Sequence, residues 1–219
     1  LVGLIPQEAL VDAAVWYTQL DGFSPEQILE SRLFSSSSAS TPTQPEPASF
    51  IEQLAAPTPT PGGGSAGAYA GAMGAGLVAM VSGLTIGKKK YADVEAEMQA
   101  IRVVAENLRK ELTQAVDDDA SAFEVLMATF KLPKETDAQK SARETAIIKA
   151  TLNAAHVPLH VAEGAVKVMD LALKCAKHAN LNAISDSMSG FAMARAGLTA
   201  AGYNVRININ SLEDKSVTE

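Results

Sequence analysis

At 219 residues the chain has room for one helical domain and a piece of another. Hydrophobic residues make up 47% and aromatics only 5%, so a core is built from Ala, Val, Leu, Ile and Met, a composition suited to closely packed helices. A formal net charge of −7 argues against general binding to nucleic acid or to an anionic membrane surface, and the single cysteine, Cys175, rules out an internal disulfide and fits a reducing compartment.

The N-terminus has neither the basic region nor the small-residue cleavage site of a secretion signal. It opens inside an apolar run, Leu1 to Ile5, without an initiator methionine, so a fragment of a longer protein is expected. Pro6 stands at a first helical position and introduces Ala9, Leu10, Ala13, Ala14 and Tyr17 at helical spacing; a strand end followed by a helix is the simplest reading. Ser24-Pro25-Glu26-Gln27 is a capping signature that predicts a second short helix. Residues 34–48 contain a run of serines and then Pro42, Pro45 and Pro47, which makes them an extended linker between residues 1–33 and the domain at 49–219. Ser49 with Glu52 is a capping box ahead of Phe50, Ile51 and Leu54 and predicts another short helix.

The segment from Pro61 to Tyr91 organises the rest, and no residue between Gln53 and Gly87 is charged. Gly62, Gly63 and Gly64 let a backbone lie close to a ligand, and Ser65 is placed to cap a helix whose first N–H groups stay free. That turn is a local anion or carboxylate site. Gly67, Gly71 and Gly74 share one helical face almost without side chains, so another helix can approach closely, within the chain or across a homodimer. An uncharged run followed by Lys88-Lys89-Lys90 also has the outline of a membrane span, but its Ala/Gly half supplies little transfer energy into lipid. A phosphate-binding loop is excluded because Lys88 is followed by Lys89 rather than Ser or Thr. A buried helix without chemistry is the remaining alternative.

From Asp93 to Phe130, apolar residues recur at steps of three or four: Met98, Ile101, Ala105, Leu108, Leu112, Val116, Phe123, Met127 and Phe130. Asp119 lies in that stripe, whereas Asp117 and Asp118 are rotated toward the polar face. A carboxyl on an apolar stripe either finds partners or stays partly protonated, so both a structural and a functional Asp119 remain open on these grounds.

Lys131-Leu132-Pro133-Lys134 closes this helix, and Thr136 or Asp137 caps the next, which carries Ala146, Ile147, Ala150, Ala154 and Val157. Pro158 should kink that helix and free the Ala154 carbonyl for another partner. His156 and His160 lack a third ligand at metal-site spacing, so no metal is expected. Val161, Ala165, Val168, Ala172 and Cys175 continue inward until Asn180-Leu181-Asn182 ends the helix. Ser185-Asp186 opens a last helix rich in small residues. In Tyr203 to Asn210, Val205, Ile207 and Ile209 alternate as in a strand, while Asn204 and Asn208 stack on one helical face.

Several of these segments together resemble the formiminotetrahydrofolate cyclodeaminase family, which also contains stand-alone methenyltetrahydrofolate cyclohydrolases. The resemblance rests on Pro61 to Ser65 leading into an Ala-rich helix that ends Gly87-Lys88-Lys89-Lys90-Tyr91, on Asp117-x-Asp119-Ala120-x-Ala122-Phe123, on Asn180 followed by Ser185-Asp186, and on Asn204 to Asn208. It implies an all-α antiparallel bundle around an Ala/Gly-rich central helix, helical character for Tyr203 to Asn210, and Asp119 as the catalytic residue. Gly62, Gly63, Gly64, Ser65 and Lys88 would bind the folate; Lys149, Asn153, Asn180, Asp186, Asn204 and Asn208 are further candidates, although simple helix capping also explains Asp186. Leu1 to Leu10 with Asp12-Ala13-Ala14 resembles the end of a glutamate formiminotransferase domain, which implies a cytoplasmic, homo-oligomeric, bifunctional enzyme of histidine degradation. Relatives carry one more helix beyond Asp214, so a C-terminal truncation is expected. The implied reaction converts 5-formiminotetrahydrofolate to 5,10-methenyltetrahydrofolate and ammonia, with a tetrahydrofolate derivative as substrate and no permanently bound cofactor. The cyclohydrolase reaction and a non-catalytic helical module are the alternatives.

Overall fold

The computed structural model describes residues 7–19, 22–23 and 49–212. The expected strand end at Leu1 to Ile5, the second short helix after Ser24, the 34–48 linker and the residues beyond Leu212 lie outside these. The chain divides into two units, Leu1–Ala48 and Ser49–Glu219. In the first, α1 (Gln7–Thr18) forms as its spacing predicts, yet Leu10 and Tyr17 of its apolar face are exposed.

Among its described residues the second unit has helices joined by turns and no strand. α2 (Phe50–Ala55) starts at the predicted capping box: Ser49 Oγ accepts the Glu52 N–H at 3.3 Å, and Glu52 Oε2 accepts the Ser49 N–H at 2.8 Å. Four long helices follow: α3 (Gly63–Gly83), α4 (Glu95–Thr129), α5 (Asp137–His178) and α6 (Ile184–Asn210), with short 3-10 turns at Lys89–Val94 and Leu181–Ala183. α3 packs on all three of the others, and α4 and α6 flank the α3–α5 pair. By length and composition α3 could cross a membrane. In this fold it is the central helix, and Ala68, Ala75, Val78 and Val81 are fully buried.

Small residues set how close the helices come. A Cβ on Gly74 would stand 2.7 Å from the Gly190 carbonyl, and one on Gly197 2.7 Å from that of Gly67, so α3 and α6 run antiparallel in backbone contact. Gly71 serves a different neighbour, since the nearest atoms to its missing Cβ belong to Leu112 of α4, 3.2 Å away. The expected close crossing is therefore met within the chain, on two helices rather than one.

Beyond Leu112 the buried positions of α4 are Ala115, Ala122 and Leu126. Val116 and Phe123 are only partly buried, and Met127 and Phe130 are exposed, which corrects the expected stripe. The buried seam instead repeats every seven residues, through Met98, Ala105, Leu112 and Leu126 and through Ile101, Leu108, Ala115 and Ala122. Asp119 falls on it, seven residues after Leu112 and seven before Leu126.

α5 begins at a capping box of Thr136 with Gln139 and runs unbroken through the buried Pro158. Asn208 Nδ2 donates to the Ala154 carbonyl at 2.8 Å, the group left without a helical partner by the proline. Residues 203–210 are thus helical, and Asn208 fastens the end of α6 to α5.

Candidate active site

The N-terminus of α3 meets the middle of α4. The helix starts with Gly62 as its N-cap and no side-chain cap, so Ser65 is not the cap but sits inside the first turn. Its hydroxyl turns inward, 2.9 Å from Asp119 Oδ2 and 3.1 Å from the Val116 carbonyl. The physical reason is the fit of α4: an aspartate on the facing seam fills the position that a cap would take, and accepts the Ser65 N–H as well as its O–H. Gly64 makes the room, because a Cβ there would overlap the Asp119 carboxyl.

Asp119 is half-buried, whereas Asp117 and Asp118 are exposed, as their rotation predicts. Burial pushes its carboxyl above the usual carboxylate range, and the two hydrogen bonds from Ser65 oppose that shift without cancelling it. The result is a carboxyl able to hold a proton, set against the open start of an uncharged helix.

Asn204 and Asn208 reach the same end from α6. Asn204 Nδ2 lies 3.3 Å from where a Gly63 Cβ would be and donates to the Ala200 carbonyl at 2.9 Å. Asn153, with Asp118, Ser121, Ala122, Val125 and Val157, lines a groove of about 370 Å³ between α4 and α5. Lys149 is one turn before Asn153 and exposed. His156 and His160 are exposed on the same helix.

The remaining candidates stand at the other end of the bundle. Lys88 precedes the 3-10 turn after α3, and the length of α3 puts it about 30 Å from Gly62. Asn180 is buried there: its N–H donates to Thr85 Oγ1 at 3.0 Å, and its Oδ1 accepts the Asn182 N–H at 3.2 Å. Asp186 opens α6 beside it. A single chain therefore gathers Gly62, Gly63, Gly64, Ser65, Asp119, Asn153, Asn204 and Asn208 at one end, and Lys88, Asn180 and Asp186 at the other. Sequence reasoning missed the Val116 carbonyl as a partner of Ser65. No local signal could mark it, since Ser65 and Val116 are 51 residues apart.

Comparison with known proteins identifies the family. Residues 47–219 match the family model described as formiminotransferase-cyclodeaminase. A methenyltetrahydrofolate cyclohydrolase from Methylorubrum extorquens is 45% identical over 170 residues, covering 78% of this chain and 82% of that one. The formimidoyltransferase-cyclodeaminase of Rattus norvegicus is 28% identical over 98% of this chain, which spans 44% of that relative's length. Among solved structures, the formiminotetrahydrofolate cyclodeaminase of Thermotoga maritima superposes with a TM-score of 0.69 at 31% identity, over 77% of this chain and 80% of that one. With the family match extending over all four long helices and a solved relative sharing their arrangement, this chain belongs to the formiminotransferase-cyclodeaminase family.

Proposed function

We propose that this protein converts 5-formiminotetrahydrofolate to 5,10-methenyltetrahydrofolate and ammonia, with Asp119 as the proton carrier. The observation that carries this reading is the carboxyl of raised pKa held against the glycine turn that starts α3. Ring closure forms a bond from a folate nitrogen to the formimino carbon, and that nitrogen must lose its proton. The bond to the amino nitrogen then breaks, and the amine must gain a proton to leave as ammonia. A single carboxyl beside the carbon can take the first proton and deliver it as the second. The first N–H groups of α3 are free of helical partners and suit a carbonyl or carboxylate of the folate. Asn153, Asn204 and Asn208 lie around it.

Similarity to the rat formimidoyltransferase-cyclodeaminase extends over 98% of the chain, which supports an upstream transferase domain, and we propose a cytoplasmic role in histidine degradation with it. Lys88 sits too far from Asp119 to serve the same folate within one chain. A homo-oligomer whose second copy runs antiparallel would bring such a lysine to this end, and we propose that arrangement. The cyclohydrolase reaction, in which water opens the methenyl ring, is the second reading, favoured by the 45% identity to the Methylorubrum extorquens protein. Supplied with 5-formiminotetrahydrofolate, the protein should release ammonia together with the methenyl chromophore. Hydrolysis of methenyltetrahydrofolate with no action on the formimino compound would decide for the second reading.

A further inference from the structure

Ser65 is fully buried, with one hydroxyl hydrogen and two acceptors in reach, Asp119 Oδ2 at 2.9 Å and the Val116 carbonyl at 3.1 Å. One hydrogen serves one acceptor at a time. The Val116 carbonyl lies within α4, where the helical pattern already supplies it with the amide four residues on, so it does not depend on Ser65. An ionised Asp119 can only accept, and the hydroxyl then points at it. An Asp119 protonated on Oδ2 can donate to Ser65 Oγ, and the hydroxyl then turns to Val116. In both states each of the three groups has a partner.

We propose that Ser65 is a positioning residue for Asp119: its hydroxyl rotates between the Asp119 carboxyl and the Val116 carbonyl, so the carboxyl gains and releases a proton in place with no buried polar atom left unpaired. Asp119 alone changes its proton count, and Ser65 keeps its own hydrogen throughout. The Ser65 N–H bond to Asp119 holds the carboxyl still during the exchange. Around it, α3 brings no charged side chain, and α6 brings the neutral Asn204 and the exposed Arg206. The flanking Asp117 and Asp118 of α4 and the nearby His156 and His160 of α5 are all exposed. The hydroxyl is therefore the device at this carboxyl that can respond to its charge. This inference rests on the reading of Asp119 as proton carrier.

The test follows the Asp119 carboxyl itself, by carbon-13 NMR titration of the full chain, with its signal assigned by loss in Asp119→Asn. The pH dependence of 5-formiminotetrahydrofolate turnover is recorded on the same preparations. Ser65→Ala removes the donor to the ionised form, so Asp119 should bind its proton about tenfold more tightly. The titration midpoint and the matching limb of the pH–activity curve should move up together. Ser65→Cys, of similar size and a weak donor, should move both in the same direction and covers the case in which the alanine variant fails to fold. An unchanged midpoint in a folded variant overturns the proposal. A midpoint that moves while the activity limb stays put confirms the Ser65–Asp119 coupling and overturns the proton-carrier reading instead.

Discussion

The Asn208 amide donates to the Ala154 carbonyl across the α5–α6 contact, and this carbonyl is the one that Pro158 deprives of its helical donor. Asn208→Ala should leave that buried group unpaired and destabilise the protein by about 1 to 3 kcal/mol. Pro158→Ala returns an N–H to the helix, so the same asparagine change should cost less in that background. A double-mutant cycle on thermal melting measures the difference, and additive costs would show that the two residues do not share the carbonyl.

Asp119→Asn keeps the size of the side chain and removes the titrating proton. Turnover should fall by roughly 100-fold or more, the scale of general acid–base catalysis, with folate binding retained. Asp118→Asn, on an exposed residue, should change little. If the Asp119→Asn variant loses stability while its folded fraction keeps normal specific activity, the carboxyl is structural.

The raised Asp119 pKa also makes a stability prediction. The folded state holds this proton more tightly than the unfolded chain, so the group's contribution is fully present below its ordinary value of 3.8. It is lost as pH rises through the higher folded value. Asp119→Asn should flatten that part of the stability–pH curve, as read from denaturant midpoints at a series of pH values above 3.8. A variant curve parallel to that of the parent would contradict the burial argument.

Two glycines of α3 should respond in opposite ways to one methyl group. Gly74→Ala drives its Cβ to 2.7 Å from the Gly190 carbonyl, a backbone atom that cannot step aside. It should destabilise the protein by about 1 to 3 kcal/mol. Gly76→Ala meets only the Arg109 Cδ at 3.6 Å, an ordinary contact. Its gain in helix propensity should leave stability unchanged or raise it by up to about 1 kcal/mol. Equal melting temperatures for the two variants would contradict the close α3–α6 crossing.

Cys175 is buried in the core of α5, and its thiol is pushed up to about 11, chiefly by burial and further by the nearby Glu97. It should resist alkylation at neutral pH in the native protein and react readily once denatured, since the thiolate is the reactive form. Rapid modification of the native protein would place the thiol elsewhere.

Much of the architecture was legible in the residues because it depends on local chemistry. Ser49 with Glu52 forms the capping box its spacing announces, and Thr136, one of the two caps expected for the next long helix, caps it. The glycine spacing in α3 announced a close crossing, and Pro158 announced a free carbonyl at Ala154. The inward turn of Asp119 was readable too, because helical rotation separates it from Asp117 and Asp118 whatever the helix packs on.

Tertiary structure alone decided what pairs with what. Ser65 looks like a cap in sequence and becomes the partner of a carboxyl 54 residues away, a pairing that exists only because α4 lies antiparallel to α3 with Gly64 between them. The same packing put Ala115 and Ala122 in the interior and left Val116 and Phe123 only partly buried, because which face of α4 meets its neighbours is set by the bundle and not by the hydrophobicity of single residues. Lys88 and Gly62 bracket one helix, and a straight α-helix rises about 1.5 Å per residue. That geometry, rather than proximity in the chain, places the lysine cluster at the far end of the bundle from Asp119.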